Sequence, residues 1–286
     1  MKSFVPTAAA AAVLAIALPA TAAQNPAWTE PMKPFHIIGP IYDVGSAGLV
    51  VLMIKTSAGV IVIDGGVPGW GRHVEDSVKA LGVPLKDVKI LLNSHAHFDH
   101  SGGLAEIKKD TGAKLIATEG DRYSLESGKY LGSENDHSLD SVPVKIDETV
   151  KDGGTVTLGD VTLTAHITPG HTKGCTSWTI PVVDKGVKHT AIFFCSASVA
   201  ANHLAPKEQY PGIIADYRST FAKAKKIKAD IFLAPHAEQF DLNAKKAKLG
   251  GQGPNPFIVP GELSAKVEGF EKAFNVELAK QRAAAK

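Results

Sequence analysis

Seven consecutive residues, Ser94-His95-Ala96-His97-Phe98-Asp99-His100, carry three imidazoles and a carboxylate. Both groups are zinc ligands, and imidazole nitrogen binds zinc at about 2.0–2.1 Å. Alternate residues of an extended segment point the same way, so His95 and His97 can share one ion. Asp99 and His100 follow in a tight bend and can face a second. Two ions about 3.5–4 Å apart make a hydrolytic centre. A lone histidine would read as a solvated loop residue. Four ligand-type side chains at this spacing read as a metal site.

The flanking residues say what positions them. Val88-Lys89-Ile90-Leu91-Leu92 is a short apolar run of the kind that forms a buried strand. Ser101-Gly102-Gly103 and Leu104-Ala105-Glu106-Ile107 open a helix. The cluster therefore lies on a loop at the end of a strand, where open α/β sheets present ligands. His-x-His-x-Asp-His resembles the signature of the metallo-β-lactamase superfamily. That resemblance calls for two further ligands, each following a later strand.

Both are found. Val161, Leu163, Ala165 and Ile167 alternate with polar residues, as in a half-buried strand. It runs into Thr168-Pro169-Gly170-His171-Thr172, where Pro and Gly force a turn that throws His171 outward. Gly-His-Thr matches the family motif. Ile231-Phe232-Leu233 reads as a buried strand, followed by Ala234-Pro235-His236. By resemblance, His95, His97 and His171 hold one Zn2+, and Asp99, His100 and His236 hold the other. Three protein ligands per ion leave room for water, as a catalytic site requires. The resemblance implies a metal-bridging hydroxide as nucleophile, with Asp99 orienting it. Zinc lowers the pKa of bound water to about 7. His36, His73, His137, His166, His189 and His203 are left as structural or surface residues.

Residues 28–40 read as an irregular, Pro-rich opening segment. Residues 49–54 and 60–63 are two β-rich runs joined by a hairpin turn. The second ends at Asp64-Gly65-Gly66. Asp64 either caps its own turn or reaches across to hold the metal loop by hydrogen bonds; in the family resembled, an Asp here is a structural support. A helix is expected over 72–81, a strand over 114–117, and a long surface loop over 123–140. Residues 175–183 and 189–195 form a hairpin around Asp184-Lys185-Gly186. An amphipathic helix follows over 213–228. A last helix carries Leu263, Val267, Phe270, Phe274 and Leu278 at helical spacing. Layer logic alone allows several α/β folds. The resemblance implies an αββα sandwich, two mixed sheets face to face with helices outside, as one domain over residues 24–286.

The chain has 286 residues, 44% hydrophobic and 21% charged, which is enough for a substantial core. A formal net charge of +2 gives no electrostatic case for nucleic acid. Lys223, Lys225, Lys226 and Lys228 read as the solvated face of a helix. Residues 1–23 have the charge, apolar core and small-residue site (Ala20-Thr21-Ala22) of a cleaved signal peptide. The apolar run is too short to span a membrane. A periplasmic monomer without a membrane anchor is expected. Cys175 and Cys195 are the only cysteines and lie equally far from Lys185 in the hairpin turn. Directly opposed strand positions have Cα atoms about 4.5–5.5 Å apart, so a disulfide between them is expected in an oxidising compartment.

The resemblance also bears on substrate. Many superfamily hydrolases, glyoxalase II and the lactonases among them, place a metal-bridging aspartate after the strand that here ends in Cys195. This chain has Ser196 there and no acid in Cys195-Ser196-Ala197-Ser198. That pattern resembles the subclass B3 metallo-β-lactamases and implies zinc-dependent hydrolysis of the β-lactam amide bond, an antibiotic-resistance activity. The hydroxyls of Ser196 and Ser198 suit recognition of the β-lactam carboxylate, or cap the turn. Cys195 departs from relatives that carry an acidic residue before the serine. Two other readings stand beside this one. A lactonase or thioesterase of the same fold is disfavoured by the missing carboxylate. A non-enzymatic zinc-binding periplasmic protein is disfavoured by the open, two-metal ligand set.

Overall fold

Short β-branched and apolar runs dominate the first half of the chain, and in the computed structural model, which describes residues 25–285, they form one sheet. The signal peptide expected over residues 1–23 lies outside the described residues. The sheet runs β1 (Phe35–Ile38), β2 (Ile41–Asp43), β3 (Leu52–Thr56), β4 (Gly59–Ile63), β5 (Val88–Leu92), β6 (Lys114–Ala117) and β7 (Glu148–Thr149), in that order. Strands β1 to β4 pair antiparallel, and β4 to β7 pair parallel.

The second sheet comprises β8 (Thr155–Leu158), β9 (Val161–Ile167), β10 (Thr176–Asp184), β11 (Val187–Phe193) and β12 (Ile231–Leu233). Its order is β12-β11-β10-β9-β8, and only β11 and β12 are parallel. The two sheets are mixed, as the sandwich requires.

Side-chain alternation sets the layers. Leu52, Ile54, Ile61 and Ile63 meet Trp178, Ile180 and Phe193 of the second sheet in the central core. Met53, Val60, Val62 and Leu91 point the other way, into a second cluster with Val74, Val78, Leu104 and Ile107. Those last four belong to α1 (Gly71–Ala80) and α3 (Leu104–Thr111); between them lies the single turn α2 (Phe98–Ser101). Strands buried on both faces read as continuous apolar runs, which is why β4 and β5 stand out in the sequence. After α4 (Arg122–Ser127), the helices α5 (Ile213–Ala224), α6 (Leu242–Lys246) and α7 (Glu262–Ala284) complete the chain. Tyr217 of α5 and Phe274 of α7 pack 4.9 Å apart, and Phe270 stacks on Phe194 beyond β11. Among the described residues no helix is long and apolar enough to cross a membrane.

Four expectations need correction. The opening segment is not irregular throughout: Phe35–Ile38 is a strand, with Ile37 and Ile38 fully buried behind the prolines that disguise it. The stretch 123–140 is not all loop, because α4 occupies its start. Leu125 is that helix's one buried side chain, so it leaves no apolar period to read. Helix α5 stops at Ala224, short of the lysines at 225, 226 and 228. The hairpin turn is the two-residue Lys185-Gly186, with both φ positive, at 48° and 81°. The ladder therefore runs from Asp184↔Val187 to Trp178↔Phe193, and its extension sets Cys195 across from Thr176 rather than Cys175. Both cysteines lie beyond that ladder, and the disulfide forms across the offset with Cα atoms 5.8 Å apart.

Candidate metal centre

Six strands end at one rim of the sandwich. β4 ends at Asp64, β5 at the histidine loop, β6 near Asp121, β9 before His171, β11 before Ser196, and β12 before His236. Their ends bring together all six ligand candidates.

The ligand atoms converge in two adjoining sets. Nε2 of His95 lies 3.2 Å from Nε2 of His171, and the donor atoms of His95, His97 and His171 all lie within 4.8 Å of one another. In the other set, Nε2 of His100 is 3.1 Å from Nε2 of His236. Asp99 Oδ2 is 3.2 Å from the first and 3.5 Å from the second. His95 also lies within 4.8 Å of Asp99 and His100, so the sets share a border. Ligands about 2.0–2.1 Å from a tetrahedral ion sit roughly 3.3–3.4 Å apart. The observed spacings bracket that value, so the donor set fits zinc.

Burial prepares these side chains for metal. His95 and His97 are held well below the usual imidazole range, first by burial and then by the neighbouring histidines. Burial lowers His171 to about 4 and, with His100 adding to it, lowers His236 to about 3. Neutral imidazole is the ligating form. Burial works against ionisation of Asp99, but His100 and His236 outweigh it and hold the carboxyl well below its usual range. Burial also works against charging His100, yet Asp99 and Asp64 leave its pKa raised.

Two buried carboxylates tie the loops in place. Asp64 has φ 71°, an uncommon conformation for a non-glycine residue. Its Oδ1 accepts from the Ser94 N–H at 2.7 Å and from Asn93 Nδ2 at 3.1 Å. Its Oδ2 accepts from Ser94 Oγ at 2.6 Å and lies 3.7 Å from His100 Nδ1. Asp121 is the counterpart on the other side. It accepts from the N–H of Ala96 at 3.0 Å, the N–H of Gly174 at 2.7 Å and Thr172 Oγ1 at 2.9 Å. Burial pushes both carboxyls up to about 6. His171 is oriented by its own bond, Nδ1–H donating to the Ser198 carbonyl at 2.8 Å, which turns Nε2 toward the centre.

The two serines occupy different places. Ser198 is half-buried and lines a cavity of about 220 Å3 in front of the ligand sets. Ser196 is buried; its Oγ accepts the Ser198 N–H at 3.2 Å and lies 3.3 Å from Ser198 Oγ. The other histidines lie outside the centre. His166, for example, bonds Thr179 Oγ1 at 2.9 Å, and His137 pairs with Asp140 on the surface.

Sequence reasoning missed four residues of the site. Trp28 packs 5.6 Å from His236 and 6.1 Å from Phe98 and forms one wall of the cavity, with Leu139 and Tyr130 beyond. Tyr130 stacks on His97 at 4.6 Å with the rings 16° apart, and its hydroxyl donates to Asn202 Oδ1. Asp121 is the fourth. Trp28, Tyr130 and Leu139 come from segments read as irregular or solvated, and Asp121 from the short stretch between an expected strand and an expected loop, where neither period nor motif marks a single position.

Comparison with known proteins agrees with this geometry. The profile of the metallo-beta-lactamase superfamily matches residues 43–236. The chain is similar to the solved structure of BJP-1, a subclass B3 metallo-beta-lactamase of Bradyrhizobium japonicum. The two are 48% identical, the match covers 91% of this chain and 98% of that one, and the TM-score is 0.89. FEZ-1 of Legionella gormanii, a metallo-beta-lactamase, is 36% identical over 88% of this chain and 98% of that one, with a TM-score of 0.84. Among curated proteins, the hydroxyacylglutathione hydrolase of Rhodospirillum rubrum is 29% identical over 126 residues, 44% of this chain and 40% of that protein. The chain thus spans less than half the length of the hydroxyacylglutathione hydrolases it matches.

Proposed function

The chain belongs to the metallo-β-lactamase superfamily of hydrolases, and from that premise we propose that it is a zinc-dependent β-lactamase of the subclass B3 kind, opening the amide bond of β-lactam antibiotics. The observation that carries this reading is the 48% identity, over 98% of its length, to a solved subclass B3 enzyme. His95, His97 and His171 would hold one zinc, and Asp99, His100 and His236 the other. Together the ions would supply an acidified water and an electrophile for the amide carbonyl.

The protein's own groups then have defined tasks. Asp99, held ionised by His100 and His236, orients the attacking water with the oxygen not turned to those histidines. Trp28, Phe98, Tyr130 and Leu139 give the bicyclic substrate apolar walls. Ser198 Oγ faces the cavity and is placed to donate to the substrate carboxylate. A hydrogen bond to a charged group contributes about 1.5–3 kcal/mol. Ser196 supports that hydroxyl from behind and leaves Asp99 without a second carboxylate beside the water. Export to the periplasm and action as a monomer complete the reading; the disulfide fits an oxidising compartment.

A thioesterase or lactonase is the second reading, favoured by the similarity to hydroxyacylglutathione hydrolases and opposed by the serine at 196. The deciding experiment measures hydrolysis of nitrocefin, an acyl-homoserine lactone and a glutathione thioester by the mature protein, each with and without a chelator. β-Lactam turnover that a chelator abolishes is expected to exceed the other two. Faster opening of the lactone or thioester overturns the substrate assignment, and turnover that survives exhaustive chelation overturns the metal.

A further inference from the structure

The three histidines of the first set come from two loops that are not neighbours in sequence, and one carboxylate joins those loops. Asp121 Oδ2 accepts from the N–H of Ala96, the residue between His95 and His97, and from Thr172 Oγ1, the residue after His171. Its Oδ1 accepts from the Gly174 N–H at 2.7 Å. Thr118 Oγ1 donates to the Gly174 carbonyl at 2.6 Å, so both backbone groups of Gly174 are held by the segment after β6.

Two glycines make this approach possible. A Cβ on Gly174 would collide with the backbone N of Asp121, and one on Gly120 would sit 2.6 Å from the Lys173 carbonyl oxygen. Two stretches of backbone, 120–121 and 173–174, are thus pressed together with a buried carboxylate between them and the histidine loop. Asp121 is 3% exposed, and its carboxylate hydrogen-bonds the loops without bonding any of the six ligand side chains. Asp64 grips the histidine loop at Ser94, whose hydroxyl also lies 3.0 Å from His95 Nδ1, and its own carboxylate faces His100 of the other set.

We propose that Asp121 is the positioning residue of the three-histidine set: it fixes the separation of the His95/His97 loop from the His171 loop and thereby sets the affinity of that zinc independently of the other. The proposal rests on the two-zinc reading above, but not on the choice of substrate. Asn at 121 keeps the size of the side chain and cannot keep the bonds. Its amide nitrogen must face either the Ala96 or the Gly174 N–H, so one buried backbone donor loses its partner and one loop is released.

The test is a metal titration of the mature protein against a chromophoric chelator, with zinc for affinity and cobalt for the absorption band of each set. The His171→Ala variant identifies the band of the three-histidine set. Asp121→Asn is expected to weaken that set by about 10- to 100-fold, the range for partners that orient metal ligands, while the other set changes by less than about threefold. Equal weakening of both sets, or no weakening in a variant with wild-type near-ultraviolet circular dichroism, overturns the proposal. Should Asp121→Asn not fold, Thr172→Val removes one bond of the three, and a smaller loss confined to the same band is expected. A loss shared by both bands, or none, overturns it equally. Failure of β-lactam hydrolysis alone would count against the substrate, because this readout needs no substrate.

Discussion

The two halves of the metal centre are built alike and were unequally visible. In one, Asp64 at the end of β4 grips the start of the histidine loop and faces His100. In the other, Asp121 beyond β6 grips the middle of that loop and the His171 loop together. Each carboxylate is buried and each accepts three hydrogen bonds. A buried charge is tolerable only with such partners. The lesson is that the loops bearing ligands are held by backbone and side-chain donors, from residues beside the ligands, aimed at a buried carboxylate.

The comparison breaks first at the ligands. His171→Ala should abolish turnover of any substrate, by more than the roughly 10- to 100-fold typical of losing a residue that only orients a ligand. His166→Ala, four residues after Thr162 on the same strand and bonded only to Thr179, should leave kcat/KM within about threefold. Equal losses in steady-state assays would mean that the wrong histidine has been placed at the centre.

Next comes Asp64→Asn, the mirror of the substitution at 121. An amide at 64 can keep its oxygen on the Ser94 N–H and turn its nitrogen to the Ser94 hydroxyl, which can accept, so what it loses is the negative charge facing His100 Nδ1. The expected loss is about 10-fold or more in zinc affinity, and it should fall on the set containing His100. If chelator competition instead shows the three-histidine set weakened, the division of labour between the two aspartates is wrong.

These differences explain what the sequence could yield. Asp64 was visible because it ends a continuous apolar run and precedes Gly65-Gly66, so its place at the rim follows from strand logic. Asp121 sits in Glu119-Gly120-Asp121-Arg122, whose composition is that of a solvated loop. Only the tertiary approach of Gly174 buries it. The same reason hid Trp28 and Tyr130: an aromatic in an irregular segment has no period to place it. The cysteine pair was legible and its register was not, because a two-residue turn and a three-residue turn shift the ladder by one position. The αββα arrangement followed from the motif's family, and the two clusters on opposite faces of the first sheet agree with it.

A smaller effect separates the cavity from the ligands behind it. Ser198→Ala removes the hydroxyl that faces the cavity and leaves its carbonyl, which orients His171, untouched. KM for a penicillin should rise about tenfold, the equivalent of one charge-assisted hydrogen bond, with zinc content unchanged. A fall in kcat at constant KM would place Ser198 in the chemical step instead of in binding.

The smallest effect on turnover, and the sharpest check on the rule, lies at a third buried carboxylate away from the ligands. Asp43, on β2, is fully buried; its Oδ1 accepts the Gly45 N–H at 2.9 Å, and its Oδ2 has no partner. Burial, only partly relieved by backbone hydrogen bonds and by Lys246, pushes this carboxyl up from 3.8 to about 7. Between those values the folded protein holds a proton that the unfolded chain has released. Its stability therefore declines as pH rises from about 4 to about 7 and levels off above. Three pKa units set a ceiling of about 4 kcal/mol on that decline. Asn at 43 can keep the bond to Gly45 and carries no charge at any pH. Asp43→Asn should match the wild type near pH 4, exceed it in stability at pH 8, and leave nitrocefin turnover unaltered. Urea unfolding of the metal-free protein at both pH values measures the difference directly, since the aspartates at 64 and 121 titrate in both proteins and cancel. A variant less stable than wild type at pH 8 would show that Asp43 is satisfied after all, and that counting donors does not separate the carboxylates that build the centre from the one that does not.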